Sequence, residues 1–114
     1  MIEKILKDFL KEKLKMDVFL EYPKNYKKDD FILIEKTSSS NENKLLSATF
    51  AIQSYGESIY KAAINNEKVK ETMVFLANDK RIASVKLNSD YNFTDLEMKR
   101  CRYQAVFDIY YYKR

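Results

Sequence analysis

The amino-terminal residues repeat apolar side chains at the spacing of one helix face. Charged residues, among them Glu3, Lys7 and Asp8, fill the opposite face. Because side chains three and four positions apart lie on the same side of an α-helix, this pattern predicts an amphipathic helix over residues 2–14. Its apolar stripe consists of Ile2, Ile5, Leu6, Phe9, Leu10 and Leu14.

Patterns typical of strands follow the helix. Residues 18–22 predict a short strand that Pro23 ends, since proline has no backbone N–H to donate. Residues 31–36 are apolar on both faces, which favours a strand inside a sheet. Residues 37–44 are polar and of low complexity, so we expect a mobile loop there.

Residues 45–55 alternate between two kinds of side chain, as a half-buried strand does. One set is large and apolar, while the other is small and neutral. We interpret the small set as a half-buried face that another chain covers. The apolar set is Leu46, Ala48, Phe50 and Ile52, and the small set is Ser47, Thr49, Ala51 and Gln53.

The remaining chain predicts a second helix and two further strands. Helical spacing runs over residues 58–78, with a possible kink or break at Asn65-Asn66. Strands are expected over 82–87 and 102–111, joined by a long connection over 88–100. The resulting order, α-β-β-β-α-β-β, predicts a single α+β domain over residues 1–114. We expect a mostly antiparallel sheet of four to five strands with both helices packed on one face.

Composition limits the class of protein. The 114 residues include 46% hydrophobic and 33% charged side chains, a mixture that argues against disorder. No apolar stretch approaches the length of a membrane span, and the chain starts without a signal-peptide pattern, so we expect no membrane partner. The single cysteine, Cys101, suggests a reducing cytoplasm. The net charge of +4 is mild, and its lysines are dispersed rather than clustered.

Catalytic and metal-binding patterns are missing from the sequence. Without histidine the commonest general base is absent, and one cysteine cannot build a zinc site. Asp90, Asn92 and Thr94 imitate the start of a calcium loop, but Asp95 stands where glycine is needed and Cys101 where glutamate is needed. We expect no enzyme activity, no cofactor, no metal and no small-molecule substrate, and a buried structural thiol at Cys101.

Aromatic residues are the more informative feature. Many of the nine tyrosines and seven phenylalanines are expected in the core. Others are harder to bury together because they fall in the predicted connection or near the carboxyl terminus, namely Tyr91, Phe93, Tyr110, Tyr111 and Tyr112. Tyrosine is favoured in protein interfaces because it combines a large rigid surface with a polar tip. Together with the small set above, the candidate interface residues are Tyr91, Phe93, Tyr110 and Tyr112, beside Ser47, Thr49, Ala51 and Gln53.

Three stretches together resemble a known family. These are residues 31–38, 48–55 and 85–95, the last followed by Arg102-Tyr103-Gln104-Ala105. The chain resembles the tail terminator, or tail completion, proteins of long-tailed phages and prophages of Gram-positive bacteria, over most of its length.

The resemblance implies a structural role without catalysis. Such proteins form a hexameric ring on the head-proximal end of the tail tube, dock onto the head connector and let DNA pass through the channel. It therefore implies that the partners are further copies of itself, the tail tube protein and the connector or stopper protein. The location would be the virion tail, assembled in the host cytoplasm. The alternatives are another connector or stopper subunit, or a small nucleic-acid-binding module that uses lysine and tyrosine on a sheet.

Overall fold

The predicted amino-terminal helix is confirmed over its whole length. A computed structural model describes residues 1–42 and 45–113, and its first helix, α1, spans Ile2–Leu14. Its buried side chains, Ile2, Leu6 and Leu10, are members of the predicted apolar stripe. Lys15 ends the helix in the left-handed conformation with φ 57°, and its N–H donates to the carbonyl of Lys11.

Five strands form one sheet in the order β1-β2-β3-β5-β4. They are β1 (Val18–Phe19), β2 (Phe31–Glu42), β3 (Leu45–Gly56), β4 (Ile82–Asn92) and β5 (Cys101–Tyr112). β1 is parallel to β2, and the other pairs are antiparallel. The predicted α+β class, strand order along the chain and mostly antiparallel sheet are confirmed.

Two predicted boundaries are wrong because backbone pairing continues through polar side chains. The loop expected over 37–44 is a strand as far as Glu42, where residues 38–42 pair with 45–49 of β3. Residues 43 and 44, the rest of that predicted loop, lie outside the described residues. In the same way β4 extends to Asn92, so the predicted connection over 88–100 begins five residues later. The strand expected over 18–22 is shorter, ending at Phe19.

The second helix, α2, spans Ile59–Met73 and continues as a 3₁₀ helix, η1, over Val74–Asn78. The alternative of a break at Asn65-Asn66 is wrong, because α2 runs through both asparagines, which are buried. Asn65 Nδ2 donates to the carbonyl of Tyr55 at 2.9 Å, and Asn66 Nδ2 donates to Asp90 at 3.2 Å. These contacts with the sheet offset the low helix propensity of asparagine.

Both helices contribute to one core on one side of the sheet. Leu6 and Leu10 of α1 and Val69 and Met73 of α2 are fully buried there, together with the alternate residues of the strands. The sheet residues of this core include Ile32, Ile34, Ala48, Phe50, Ile52, Ala105, Phe107 and Ile109. The opposite side of the sheet therefore carries no helix, and we call it the open face.

Candidate interaction surface

The predicted interface residues of β3 all point to the open face. They alternate with Ala48, Phe50 and Ile52, which lie in the core. Thr49 and Ser47 are half-buried, whereas Ala51 and Gln53 are buried. This chain's own side chains therefore cover part of the small-residue face, and its covering by another chain stays a prediction.

Strand register brings the separate predicted residues together. Ser47 pairs with Tyr110, and Leu45 pairs with Tyr112, so both tyrosines lie on the open face of β5. Tyr91 pairs with Gln104 of β5, which in turn pairs with Gln53. Phe93 follows β4, and its ring centroid lies 5.9 Å from that of Tyr91. All eight candidates therefore lie on the open side of the sheet, but Ala51 and Gln53 are buried under neighbouring side chains of this chain and are not exposed to a partner.

A chain of hydrogen bonds joins the side chains at the centre of the open face. Gln53 Nε2 donates to Gln104 Oε1 at 2.9 Å, and Gln104 Nε2 donates to the Tyr91 hydroxyl at 2.6 Å. The Tyr55 hydroxyl donates to Gln53 Oε1 at 3.3 Å. Buried amides are costly unless they are paired, so these contacts hold the Tyr91 ring in a defined position.

Two arginines lie among the aromatic rings beside this chain of hydrogen bonds. The guanidinium carbon of Arg102 is 4.3 Å from the Phe93 ring centroid and 5.9 Å from that of Tyr55. Its Nε donates to the Phe93 carbonyl at 2.6 Å, and Nη1 donates to the Tyr55 hydroxyl at 3.0 Å. Arg100 lies 5.2 Å from the Phe31 ring. These geometries are cation–π contacts that fix the planes of the rings.

Burial of Tyr55 affects its ionisation. Desolvation raises the pKa of the Tyr55 hydroxyl, while the hydrogen bond from Arg102 acts in the opposite direction. The hydroxyl is thus neutral at physiological pH and able to donate to Gln53. Its arrangement with Arg102 is a structural support for the surface rather than an activated nucleophile.

The arginines were not among the predicted residues, although the sequence carries a signal for them. Arg102, Gln104 and Asp108 alternate with the apolar residues of β5. They therefore had to share the open face with Gln53 and Thr49 once β3 and β5 were neighbours. That adjacency is not visible in either strand alone.

One end of the open face is covered by the segment between β1 and β2. Phe31 stacks on Tyr55 with ring centroids 4.2 Å apart, and Tyr22 and Tyr26 pack edge-on against Phe31. Phe31 is completely buried as a result. The covering ends near Tyr22, where a groove of about 480 Å³ opens. Its lining includes Leu33, Phe93, Met98 and Arg102, with the acidic Glu35 and Asp95.

The other end of the open face is uncovered and polar. Thr49 Oγ1 donates to Asp108 Oδ1 at 2.8 Å, and Asn88 Nδ2 donates to Asp108 Oδ2 at 3.2 Å. Tyr110 and Tyr112 have 42% and 54% of their surface exposed. This end therefore combines exposed tyrosine rings with the hydrogen-bonded side chains of Thr49, Asn88 and Asp108.

Charges of both signs share the open face. Arg102 and Lys86 lie on the same side of the sheet as Glu35 and Asp108. A surface that binds nucleic acid through phosphates needs clustered positive charge. The mixture here is more typical of a contact with protein.

Two further sequence expectations concern the segment after β4. Asn92 Oδ1 accepts from the N–H and the hydroxyl of Thr94, and Asp95 Oδ1 accepts from the N–H groups of Glu97 and Met98. These are local turn contacts within the segment that imitates the start of a calcium loop. Cys101 was expected to be buried, but it is half-exposed because it begins β5 opposite Gly56, at the end of the sheet.

Comparisons with known proteins place the chain in no family. No protein-family model matches it, and a search of curated proteins finds no significant similarity. In the part of the chain that the structure describes, no helix has the length and apolar character needed to cross a membrane, and no three acidic or cysteine side chains form a metal-binding group.

Proposed function

We propose that this protein is a structural subunit of a long-tailed phage or prophage virion, acting as a tail terminator. It assembles into a ring, of six copies by family resemblance, at the head-proximal end of the tail tube. Its role is binding rather than catalysis. The observation that carries the proposal is the open face, where all eight predicted interface residues lie together without a helix over them.

The open face has the chemistry of a protein-binding surface. Tyr91 and Phe93 are 42% and 39% exposed, and each is anchored from below by a hydrogen bond or a cation–π contact. Anchored aromatic rings lose little conformational freedom when a partner covers them, so more of the contact energy remains as affinity.

A ring also needs a second, different surface on the same subunit, because its contacts are heterologous. The two edges of the sheet and the helix side both offer surface of this kind. On the helix side, Val74 and Phe75 of η1 are 69% and 60% exposed, and Phe75 borders a groove of about 590 Å³ that Phe9 also lines. We infer that such surfaces serve contacts with other partners in addition to the contact between subunits.

The same assembly role defines the further partners. We infer that the tail tube protein meets one rim of the ring and the head connector or stopper protein meets the other, with DNA passing through without sequence-specific contacts. The virion tail is then the final location, after assembly in the host cytoplasm. A connector or stopper subunit of the same head-to-tail module is the alternative within this class.

Light scattering on a size-exclusion column, over a range of protein concentrations, tests the proposal. We expect a closed oligomer near six subunits for the unaltered protein. Tyr91→Ala combined with Phe93→Ala should give a folded monomer, because both rings lie outside the core. Its stability should be lower than that of the unaltered protein, since Gln104 loses its acceptor and Arg102 loses the Phe93 ring. Tyr60→Ala is the matched control, since Tyr60 is an exposed aromatic residue of α2. Oligomers that survive the double substitution would contradict the role of these rings.

The nucleic-acid-binding alternative has a distinct result. A monomer at every concentration that binds DNA, with an affinity that falls steeply as salt rises, would replace the assembly proposal. The tail terminator interpretation instead expects weak DNA binding that Tyr91→Ala leaves unchanged.

A further inference from the structure

The sheet has two open edges. β4 is an edge strand along its whole length, because β5 is its only neighbour among the strands of residues 1–42 and 45–113. On the other side β1 pairs only with Ile32 and Leu33, so β2 is unpaired on its outer side from Glu35 onward in the described residues. Edge strands present backbone N–H and C=O groups that can bind another strand.

The directions of the two edges suit a repeating assembly. β2, β3, β5 and β4 alternate in direction, so β2 and β4 run antiparallel to each other. When the strands run along a ring axis, rotation about that axis keeps their direction, so the β2 of a second copy lies antiparallel to the first copy's β4. The alternation of the sheet then continues from one subunit to the next without interruption.

Charges at the two edges are complementary. Glu35 lies on the open face at the β2 edge, and Lys86 lies on the same face at the β4 edge. Both side chains are exposed, and neither has an ion-pair partner within residues 1–42 and 45–113. Opposite charges facing each other across neighbouring strands stabilise a sheet, and they also set its register.

An uncovered apolar side chain lies at the same place. Leu87 pairs with the core residue Phe107 on the helix side of the sheet, yet 40% of its surface is exposed. Beside β2, by contrast, the helix side is covered by α1, whose Glu3 forms a 2.9 Å ion pair with Lys36. If β2 of a neighbouring copy lies next to Leu87, the α1 helix of that copy covers the exposed part of the Leu87 side chain.

We propose that the β4 edge of one subunit pairs antiparallel with the β2 edge of the next copy, with Lys86 opposite Glu35. This inference rests on the proposed ring and names its subunit contact. Irregularities at Lys36/Ser38 in β2 and at Ile82/Ser84 and Leu87/Ser89 in β4 confine the regular pairing to a few residues. Such a short contact is weak between two free subunits, so ring closure and the open-face aromatics add the remaining stability.

Cysteine cross-linking tests the contact. In a Cys101→Ser background, which removes the chain's own thiol, Glu35→Cys and Lys86→Cys are combined in one chain. Mild oxidation of the assembled protein should give a ladder of covalent oligomers on a non-reducing gel, ending at the closed ring. Each single-cysteine variant should give no ladder. The matched control combines Glu35→Cys with Glu71→Cys, which places the second thiol on the exposed surface of α2.

The outcomes separate this contact from the ring itself. A missing ladder, or one that the Glu71 control forms equally well, overturns edge pairing. Disulfide dimers of Glu35→Cys alone also overturn it, because they indicate a two-fold contact between like edges. Light scattering on the unaltered protein then shows whether the ring survives without this contact.

A charge exchange supplies a second readout without cysteine chemistry. Glu35→Lys or Lys86→Glu alone should weaken each subunit contact about two- to fivefold, the effect of one exposed ion pair. Both changes together in one chain should restore association. Equal weakening in the single and double variants overturns the proposed register.

Discussion

The side-chain amides of Gln53 and Gln104 meet across β3 and β5, with Gln53 Nε2 donating to Gln104 Oε1 at 2.9 Å on the open face. Both residues are buried, and Gln104 Nε2 in turn donates a hydrogen bond to the Tyr91 hydroxyl. Side chains that are buried as deeply as these two are usually apolar. The polar pair instead supports the exposed rings that we propose bind a partner.

The costs of removing the two members of this pair should not be additive. Gln104→Leu leaves the buried Gln53 amide without its acceptor, a loss of about 1–3 kcal/mol in the free energy of unfolding. The double variant Gln53→Leu/Gln104→Leu should cost less than the sum of the single variants. Urea unfolding of all three, arranged as a double-mutant cycle, measures the difference. Additive losses would show that the two amides act independently.

Gly56 is required where β3 meets α2. A Cβ at this position would lie 2.5 Å from the backbone nitrogen of Ala62 and 2.8 Å from the carbonyl carbon of Lys61. Gly56→Ala should therefore lower the free energy of unfolding by about 3 kcal/mol or more, because backbone atoms must shift. Thermal unfolding followed by circular dichroism checks this.

Ser54→Ala is a matched control for that experiment. Ser54 is fully buried two residues away, and its hydroxyl has no hydrogen-bond partner among the described residues. Its removal should leave stability unchanged or raise it, since no contact is lost. A large loss for Ser54→Ala would point to a general intolerance of this end of β3 instead of a clash at Gly56.

Ser58 caps the amino terminus of α2. Its hydroxyl accepts from the N–H of Lys61 at 3.0 Å. Ser58→Ala should cost about 1 kcal/mol of stability, whereas Ser58→Asp should retain the cap. Chemical denaturation compares the two variants, and similar losses for both would mean that the cap contributes little.

Tyr26 should make stability depend on alkaline pH. Burial and the hydrogen bond to the Asp17 carboxylate raise the pKa of the Tyr26 hydroxyl to about 12. The unfolded chain ionises nearer pH 10, so the folded state holds this proton more tightly. The contribution of Tyr26 is complete below pH 10 and is lost as pH rises toward 12.

Tyr26→Phe is the test of that pH dependence. The variant lacks the hydroxyl, so its stability should fall less between pH 10 and pH 12 than that of the unaltered protein. Absorbance titration of tyrosinate should show one late-ionising group fewer in the variant. An identical pH dependence in both proteins would assign the loss to other groups.

Local periodicity predicted the elements whose buried side chains recur at regular spacing along the chain. The apolar spacing over residues 2–14 placed α1 correctly, since its buried side chains are part of that spacing. The alternation within 45–55 likewise assigned Ser47, Thr49, Ala51 and Gln53 to one side of β3. Their detailed roles were not predicted, because Gln53 acquires its partner only from β5.

Polar segments were the main source of error. Residues 37–42 have no apolar pattern, yet they form a strand because their backbone pairs with β3. Asn65 and Asn66 suggested a break in α2, but both donate hydrogen bonds to groups on the sheet. Contacts from distant parts of the chain outweigh weak local preferences in such segments.

The sequence by itself determined the α+β class, the order of the elements and the side of β3 on which its alternating residues lie. These properties follow from the hydrophobic repeat of 3.6 residues in a helix and 2 residues in a strand, which residues close in sequence are enough to show. Only the tertiary structure decided that β5 lies between β3 and β4, which brings Gln53, Gln104 and Tyr91 together and leaves β2 and β4 at the edges. The physical reason is that alternation orients side chains within a strand, whereas the choice of neighbouring strand depends on burial over the whole chain.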